Sequence, residues 1–234
     1  GTYEGEWEAG AITGQGIALY ANGVRYEGSF RNANHHGKGV MQSPGGYEYQ
    51  GDWVDGVKQG VGKITYPDSS SYEGSWAVGV IEGRGIATYP NGIVYEGDFK
   101  NARNDGMGTM TYADGYRYEG DWVEGEREGQ GTATYPDGTV YTGGFTAGQR
   151  DGQGKIEMPD GFVYEGEWQN GEINGRGVAT YANGDVYEGL FVDGKRQGTG
   201  TMRYATGQEE TGQWQNGALA AEPGKPATNA APEG

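Results

Sequence analysis

Short segments of the chain alternate rings or glycine with polar residues. The segment YEGDWV, which begins at Tyr118, has a ring or a glycine at every second position and carboxylates between them. The segment GTATY, which begins at Gly131, alternates in a similar way. Because successive side chains of a strand point to opposite faces, a period of two predicts β-strands. We predict that these two strands form a hairpin, joined by a polar loop over residues 124–130.

The hairpin pattern recurs every 23 residues without insertion or deletion. Each repeat begins with a tyrosine, which we number position 1, and places Trp or Phe at position 5. The first residues of the nine complete repeats are Tyr3, Tyr26, Tyr49, Tyr72, Tyr95, Tyr118, Tyr141, Tyr164 and Tyr187. A partial tenth repeat begins at Glu210. A fixed period of this length is typical of arrays in which each repeat buries its apolar face against its neighbours.

Successive repeats are joined by Tyr-Pro-Asp-Gly, as at 135–138, or by a near copy. Proline presets the first corner of a turn, Asp or Asn tolerates the second, and glycine takes the left-handed position. These turns predict an antiparallel meander without a crossover. The repeat that begins at Tyr49 has three serines after Asp68 where other repeats have a turn glycine. We therefore expect a local irregularity or change of curvature around residues 64–76.

The predicted fold is all-β: an elongated, twisted, single-layer antiparallel sheet, solenoid-like, built of 23-residue β-hairpin repeats. Neighbouring strands lie about 4.8 Å apart, so ten repeats of two strands would extend roughly 95 Å. The array is assigned to residues 3–217. Residues 218–234 are rich in Ala, Pro, Gly and Glu without a period, and we expect a disordered tail.

Ring size at position 5 is matched by the side chain at position 16. Trp accompanies Ala, as in Trp122 with Ala133, and Phe accompanies Met or Ile, as in Phe99 with Met110. The one exception among the complete repeats is Trp53 with Ile64. Because close-packed interiors are sensitive to single methylene groups, we expect positions 5 and 16 to touch.

The chain is acidic, with a formal net charge of −16 and a mean hydropathy of −0.80. This charge disfavours nucleic acid and anionic membranes as partners of this chain alone, since both attract basic patches. Nine of the 17 basic residues stand at repeat positions 9–13, which should make one long edge less acidic. They are Lys38, Lys58, Arg84, Arg103, Arg127, Arg150, Arg176, Lys195 and Arg196.

The sequence offers no constellation of residues for catalysis or metal binding. There is no cysteine, and the only two histidines, His35 and His36, are adjacent in a predicted loop, where we expect them to be solvated. The repeated Gly-x-Gly pairs have no accompanying helix, so they indicate backbone structure and no phosphate loop. No nucleophile and base stand out together. We therefore expect no enzyme activity, no catalytic residue, no metal and no cofactor.

The motif Tyr-Glu-Gly-Glu-Trp, followed by Gly-x-x-x-Gly-x-Gly and Tyr-Ala-Asn-Gly at 164–184, resembles the MORN repeat (membrane occupation and recognition nexus). The resemblance covers residues 3 to about 217. It implies a β-hairpin array that serves as a scaffold or adaptor, several members of the family being thought to bind peptide segments along an aromatic groove. An association with phospholipids is also attributed to the family.

A single-layer sheet cannot cover both sides of every ring, so we expect part of the aromatic surface to remain open as a long groove. Tyr and Trp combine a large contact area with a polar tip, which favours them at binding hot spots. The candidate partner-binding residues, from the middle repeats, are Tyr72, Trp76, Tyr89, Tyr95, Phe99, Tyr112, Tyr118, Trp122 and Tyr135.

The function expected from the sequence is therefore that of a non-enzymatic scaffold or adaptor. Its partner would be a protein or peptide segment, or a second copy of the chain, held along the aromatic groove. The alternative is a peripheral, phospholipid-associated protein that uses its basic loop residues. The open edges of the terminal strands also allow a homodimer. Nothing in the sequence specifies a compartment.

Overall fold

The structure, a computed structural model, describes residues 1–221 and consists there of β-strands and tight turns. The described residues divide into two compact units, one of residues 1–136 and one of residues 137–221. Each unit is an antiparallel sheet in which strands pair in sequence order. The all-β class and the 23-residue hairpin repeat are thus confirmed.

In the first unit, strands of seven and nine residues alternate and each pairs with the next. The seven-residue strands are β1 (Thr2–Glu8), β3 (Arg25–Arg31), β5 (Glu48–Val54), β7 (Ser71–Ala77), β9 (Val94–Lys100) and β11 (Arg117–Val123). The nine-residue strands are β2 (Ala11–Leu19), β4 (Asn34–Gln42), β6 (Val57–Thr65), β8 (Val80–Thr88), β10 (Arg103–Thr111) and β12 (Glu126–Thr134).

The second unit repeats the same meander. Its strands are β13 (Val140–Thr146), β14 (Gln149–Glu157), β15 (Val163–Gln169), β16 (Glu172–Thr180), β17 (Val186–Val192), β18 (Lys195–Arg203), β19 (Glu209–Gln215) and β20 (Ala218–Leu219). The segment assigned to a disordered tail therefore begins with a short strand paired to β19. The remainder of that segment, 222–234, lies outside the described residues.

The predicted polar loop over 124–130 is wrong. The turn comprises only Glu124 and Gly125, with φ angles of 50° and 94°, and β12 begins at the next residue. Two consecutive positive φ angles define the type I′ turn, whose twist matches that of a hairpin. Arg127 consequently lies directly opposite Trp122 in the sheet.

The glycine at position 12 marks a β-bulge in the second strand of each repeat. In the repeat that begins at Tyr118, the register shifts between Gly120 and Trp122, and Gly129 has a φ of 71°. The carboxylate of Asp121 accepts the backbone N–H of Gln130 across the bulge at 2.9 Å. A bulge with a carboxylate partner therefore replaces the loop that the sequence suggested.

The connecting turns form as predicted, but the expected irregularity around 64–76 is absent. Ser69 takes the left-handed position with a φ of 68° and donates its N–H to the carbonyl of Tyr66 at 3.0 Å. Asp68 accepts the N–H of Ser70 at 2.9 Å. Strands β6 and β7 pair without a register shift. Serine supports this turn because Asp68 holds it in the same way as in the other repeats.

Each position-1 tyrosine lies flat across a pair of glycines. The hydroxyl of Tyr95 donates to the carbonyl of Asp98 at 2.9 Å, which carries the ring over Gly97 and its cross-strand partner Gly108. A Cβ atom on Gly97 would lie 2.5 Å from the Cα of Gly108 and 2.6 Å from the carbonyl oxygen of Met107. Glycine is therefore required where the ring and two backbones meet.

The indoles at position 5 bond to the second strand of the preceding repeat. Trp76 donates its Nε1–H to the carbonyl of Gly62 at 3.1 Å, and Trp122 donates to Gly108 at 3.1 Å. These bonds place both indoles over the second strand of the preceding repeat. The contact expected between positions 5 and 16 of the same repeat stays a prediction. Trp7, on the edge strand β1, is 60% exposed, whereas the other tryptophans are 3–5% exposed.

When each position-5 ring is compared with the position-16 side chain of the preceding repeat, the match in size has no exception within either unit. Tryptophan follows Met or Ile at the preceding position 16, and phenylalanine follows Ala. The pairs are Ala18 with Phe30, Met41 with Trp53, Ile64 with Trp76, Ala87 with Phe99, Met110 with Trp122, Ile156 with Trp168, Ala179 with Phe191 and Met202 with Trp214. The apparent exception at Trp53 and Ile64 disappears because each residue matches a different neighbour.

Candidate partner-binding surface

The rings at positions 1 and 5 form a buried floor, so the expectation that they line an open groove is wrong. Their exposed fractions are 5% or less in the six candidates concerned, which are Tyr72, Trp76, Tyr95, Phe99, Tyr118 and Trp122. Tyr72 and Tyr95 each meet the position-5 rings of their own repeat and of the next edge-to-face, with ring centroids 4.9–5.7 Å apart. Neighbouring rings thus supply the cover that a second layer would give.

Burial also fixes the protonation of these phenols. It raises the pKa of Tyr72 to about 12, and the pKa of Tyr118 to about 12. Both hydroxyls donate to backbone carbonyls at 3.0 Å, those of Ser75 and Asp121. The floor is therefore neutral and holds its hydrogen bonds at any physiological pH.

The accessible rings are the tyrosines of the connecting turns, at positions 18 and 22. The remaining three candidates belong here: Tyr89 is 37% exposed, and Tyr112 and Tyr135 are half-buried. Three rings of two successive turns lie side by side, with the Tyr116 centroid 5.2 Å from those of Tyr112 and Tyr135 and the ring planes tilted by about 55°. We name as the tyrosine rim the accessible tyrosines of the first unit: Tyr20, Tyr47, Tyr66, Tyr89, Tyr112, Tyr116 and Tyr135.

The turn geometry holds the rim tyrosines in place. Tyr112 donates its backbone N–H to Tyr116 at 2.8 Å and accepts the N–H of Gly115 at 3.0 Å. Asp114 accepts the N–H of Tyr116 at 2.9 Å. The backbone is satisfied within the turn, so the phenol rings are presented on a rigid support.

Cations at position 10 lie on the aromatic face and not along the less acidic edge that the sequence predicted. Lys58 Nζ lies 4.8 Å from the ring centroids of Tyr47 and Tyr49 and 4.9 Å from that of Trp76, and it donates to the Tyr47 hydroxyl. Arg127 lies 5.6 Å from the Tyr118 ring. These are cation–π contacts. Basic residues at this position therefore belong to the packing of the rings and not to a basic edge.

Three of the five other basic residues of positions 9–13, Lys38, Arg84 and Arg103, lie beside carboxylates. Lys38 lies 2.6 Å from Asp52, and Arg84 lies 3.7 Å from Asp98. Both pairs join a second strand to the first strand of the next repeat, on the face opposite the rings. Positive charge is thus dispersed along the array.

His35 also occupies position 10 and is not a solvated loop residue as expected. Its ring stacks on that of Tyr26 with centroids 3.7 Å apart, and its Nε2 lies 2.7 Å from the hydroxyl of Tyr20. His36 points away, with its Nδ1 3.4 Å from a carboxylate oxygen of Asp55. Within residues 1–221, no group of three or more His, Cys, Asp or Glu side chains is placed to hold a metal ion.

The half-buried ring of His35 predicts a pH-dependent stability. Burial lowers the pKa of His35 from its ordinary value of 6.5. The unfolded chain therefore takes up the proton first as pH falls, so stability is complete above the ordinary value and declines through the lower folded pKa. We expect the free energy of unfolding in urea to fall between about pH 7.5 and 5.

Substitution of each histidine in turn checks this prediction. His35→Gln should remove most of the decline between neutral and mildly acidic pH, whereas His36→Gln should keep it. A slope unchanged by His35→Gln would show that another group causes the decline.

These observations define a class: a tandem β-hairpin repeat protein with a buried aromatic floor and an accessible row of turn tyrosines. Within residues 1–221 no helix is long and apolar enough to cross a membrane.

The chain belongs to the MORN-repeat family. The family model matches residues 3–25, 26–46, 49–71, 72–94, 95–115, 118–140, 141–163, 164–186 and 187–209. These nine segments begin at the nine tyrosines that mark the period in the sequence, which confirms the predicted repeat and its family. No curated protein sequence matched the chain.

Solved structures with some likeness to this chain include two complexes. One is the SAS-4 (dCPAP) TCP domain with a proline-rich motif of Ana2 (dSTIL) from Drosophila melanogaster, at 12% identity and a TM-score of 0.39, covering 86% of this chain and 90% of that one. The other is the TCP10 domain of Danio rerio CPAP with a STIL peptide, at 14% identity and a TM-score of 0.37, covering 91% and 100%. At these TM-scores the likenesses carry no argument about function.

Proposed function

We propose that this chain is a non-enzymatic scaffold or adaptor that binds a segment of a partner protein. The observation that carries the proposal is the tyrosine rim, where rings such as Tyr20 and Tyr66 are 40% and 37% exposed on rigid turns. Tyrosine supplies a large contact area and a hydrogen-bonding tip at little cost in conformational entropy. A row of such residues above a neutral floor is suited to a peptide main chain.

The repeat geometry favours an elongated partner segment. Each repeat of the first unit contributes one rim tyrosine, or two in the repeat with Tyr112 and Tyr116, so a segment that lies along this unit meets a similar set of contacts at each step. Weak contacts of this kind add along the segment, and affinity grows with the number of repeats engaged. The proposed partner is therefore a stretch of polypeptide that spans several turns.

The distribution of charge gives the phospholipid alternative less support. A membrane-binding surface needs several free basic side chains on one face. Here Lys58 and Arg127 lie over aromatic rings. Lys38 and Arg84 lie on the face opposite the rings, each beside a carboxylate. With a net charge of −16, the chain as a whole is repelled by anionic lipid.

Removal of three rim rings tests the proposal. We expect Tyr89→Ala, Tyr112→Ala and Tyr135→Ala together to lower the affinity for the partner segment at least about 100-fold, because a central interface tyrosine contributes on the order of 1–2 kcal/mol. Co-purification from source cells, followed by titration with the recovered partner, measures the change. Circular dichroism establishes that the variant remains folded.

A matched control removes three exposed apolar side chains from the opposite face. Val61→Ser, Ile86→Ser and Met107→Ser change residues that are 57%, 44% and 53% exposed. This variant should bind the partner like the unchanged chain. Equal binding by the rim variant would refute the proposal, and flotation of the unchanged chain with anionic vesicles would favour the phospholipid alternative.

A further inference from the structure

A groove of about 910 Å³ opens on the aromatic face of the second unit. One side is formed by the turn residues Phe162 and Tyr181, whose ring centroids are 5.6 Å apart, and the other by Tyr204. Met202 and Trp214 lie at the bottom and are 4% and 5% exposed. The groove is therefore aromatic and apolar in its depth.

Departures from the repeat pattern create this groove. Position 1 holds tyrosine in the nine complete repeats, but Glu210 stands there in the tenth. No ring fills the space above Met202, its cross-strand partner, and the carboxylate is exposed instead. Position 22, which carries Val24, Tyr47, Ser70, Ile93 and Tyr116 in the first unit, carries Asp185 beside the groove. The change at position 1 thus exchanges a ring for a negative charge, and Asp185 adds a second charge beside it.

The carboxylates of the groove have neutral partners. Glu210 accepts the hydroxyl of Tyr204 at 2.5 Å, and Asp160 accepts the backbone N–H of Phe162 at 2.9 Å. Asp185 accepts the backbone N–H of Ala205 at 2.9 Å. In the part of the chain that the structure describes, none of the three carboxylates forms an ion pair. Their negative charge is therefore free to attract a cation.

Among residues 1–221, the one basic side chain that lines the groove is already engaged. Arg196 lies 4.6 Å from the Trp214 ring centroid and 5.7 Å from that of Tyr187, and it donates to the carbonyl of Gly217. Three carboxylates against one guanidinium leave the groove net negative. Its rings can contact a cation and an apolar side chain, and its carboxylates can attract the charge of an arginine or lysine.

We propose that this groove binds a basic segment of a partner protein, one that presents an arginine or lysine side chain next to aliphatic residues. The inference rests on the proposed function and assigns the chemistry of the partner. The chain itself shows that such surfaces hold cations, since Lys58 lies 4.9 Å from the ring of Trp76 in the first unit. A second copy of this chain is disfavoured as the occupant because each copy carries a net charge of −16.

The probe is a fluorescein-labelled peptide, Gly-Ser-Leu-Arg-Leu-Arg-Leu-Ser-Gly, compared with the same peptide carrying glutamine for both arginines. We expect the arginine peptide to bind the full chain at least tenfold more tightly, measured by fluorescence anisotropy. Its affinity should fall as salt is added, because the contact is between partly exposed charges. Equal binding of the two peptides, or no binding of either, would overturn the assignment of a basic partner.

Two charge-removing variants locate the site. Glu210→Gln with Asp160→Asn keeps both hydrogen-bond acceptors, and asparagine already stands at the Asp160 position in repeats with Asn22 and Asn91. This variant should bind the arginine peptide at least tenfold more weakly. The control, Glu172→Gln with Asp193→Asn, removes the same charge from exposed residues of the same unit outside the groove and should bind within twofold of the unchanged chain.

A third variant, Glu210→Tyr, restores the repeat residue and should abolish peptide binding by filling the groove. Sedimentation at several concentrations identifies the rival occupant: a dimer lost in Glu210→Tyr would assign the groove to a second copy and overturn the proposal. Failure here is distinct from failure of the scaffold function, because partner capture through Tyr89, Tyr112 and Tyr135 is measured separately in the first unit.

Discussion

Gly97→Ala is expected to destabilise the first unit by at least about 3 kcal/mol, a large effect for the addition of one methyl group. The new Cβ would lie 2.5 Å from the Cα of Gly108 and 2.6 Å from the carbonyl oxygen of Met107. Both obstacles are backbone atoms of the paired strand β10, so no side-chain rotation can relieve the clash. Unfolding in urea, followed by tryptophan fluorescence, measures the loss.

The control for Gly97 is a glycine that is favoured by its positive φ angle and not by close contacts. Gly56 has a φ of 86°, and a Cβ there would approach no heavy atom closer than 3.8 Å. The same turn position is held by Ala33 and Ala102, with φ angles of 63° and 62°. Gly56→Ala should therefore cost only about 1 kcal/mol. Equal losses from the two substitutions would contradict the steric role assigned to the glycine pair.

Tyr95→Ala is expected to cost about 4 kcal/mol, in the range measured for removal of a buried aromatic ring. The side chain is fully buried and meets Phe99 and Trp122 edge-to-face at 5.0 and 5.4 Å. Its loss leaves a cavity between two repeats and removes the hydroxyl bond to Asp98. Urea unfolding and hydrogen exchange in β9 and β10 should both report the loss.

Two further variants separate the contributions of Tyr95. Tyr95→Phe removes only the hydrogen bond to Asp98 and should cost about 1 kcal/mol. Tyr89→Ala removes a ring that is 37% exposed and should cost less than about 1 kcal/mol. A small effect of Tyr95→Ala would mean that the ring is not part of the folded core.

The strand pattern and the connecting turns could be predicted because they depend on local sequence. The alternation around Trp122 determines a single strand, and Pro136 and Asp137 determine the turn in which they stand. The extent of the hairpin loop could not be predicted so simply, because glycine and charge are also typical of loops. In this chain Gly125 completes a two-residue turn and Gly129 forms a bulge.

The place of the position-10 cations was nevertheless present in the sequence. Continuing the period of two backward from Ala133 through Gly131 and Gly129 reaches Arg127 on the aromatic face. A loop over residues 124–130 would end this alternation, whereas strand β12 carries it on to Arg127.

Of the candidate site residues, Tyr89 is exposed and Tyr112 and Tyr135 are half-buried, whereas the floor rings are covered by their neighbours. Exposure of Tyr95 depends on how Phe99 and Trp122 pack against its edges, which is a contact between repeats. Alternation in the sequence predicts the face of the sheet on which a ring lies. It does not predict which side chains cover that ring. Whether these residues bind a partner stays a prediction.

The correspondence between each position-5 ring and the preceding position-16 side chain bears on how such a chain can grow. Deletion of most single repeats would place a phenylalanine after a repeat with Met or Ile at position 16, or a tryptophan after a repeat with alanine there. The repeat 49–71 differs, since it receives Met41 and offers Ile64. Excision of this segment would bring Trp76 directly behind Met41, a combination that Trp53 already shows to be compatible. Residues 49–71 are thus a repeat that gene duplication can add, or deletion remove, while the neighbouring position-5 and position-16 side chains remain matched in size.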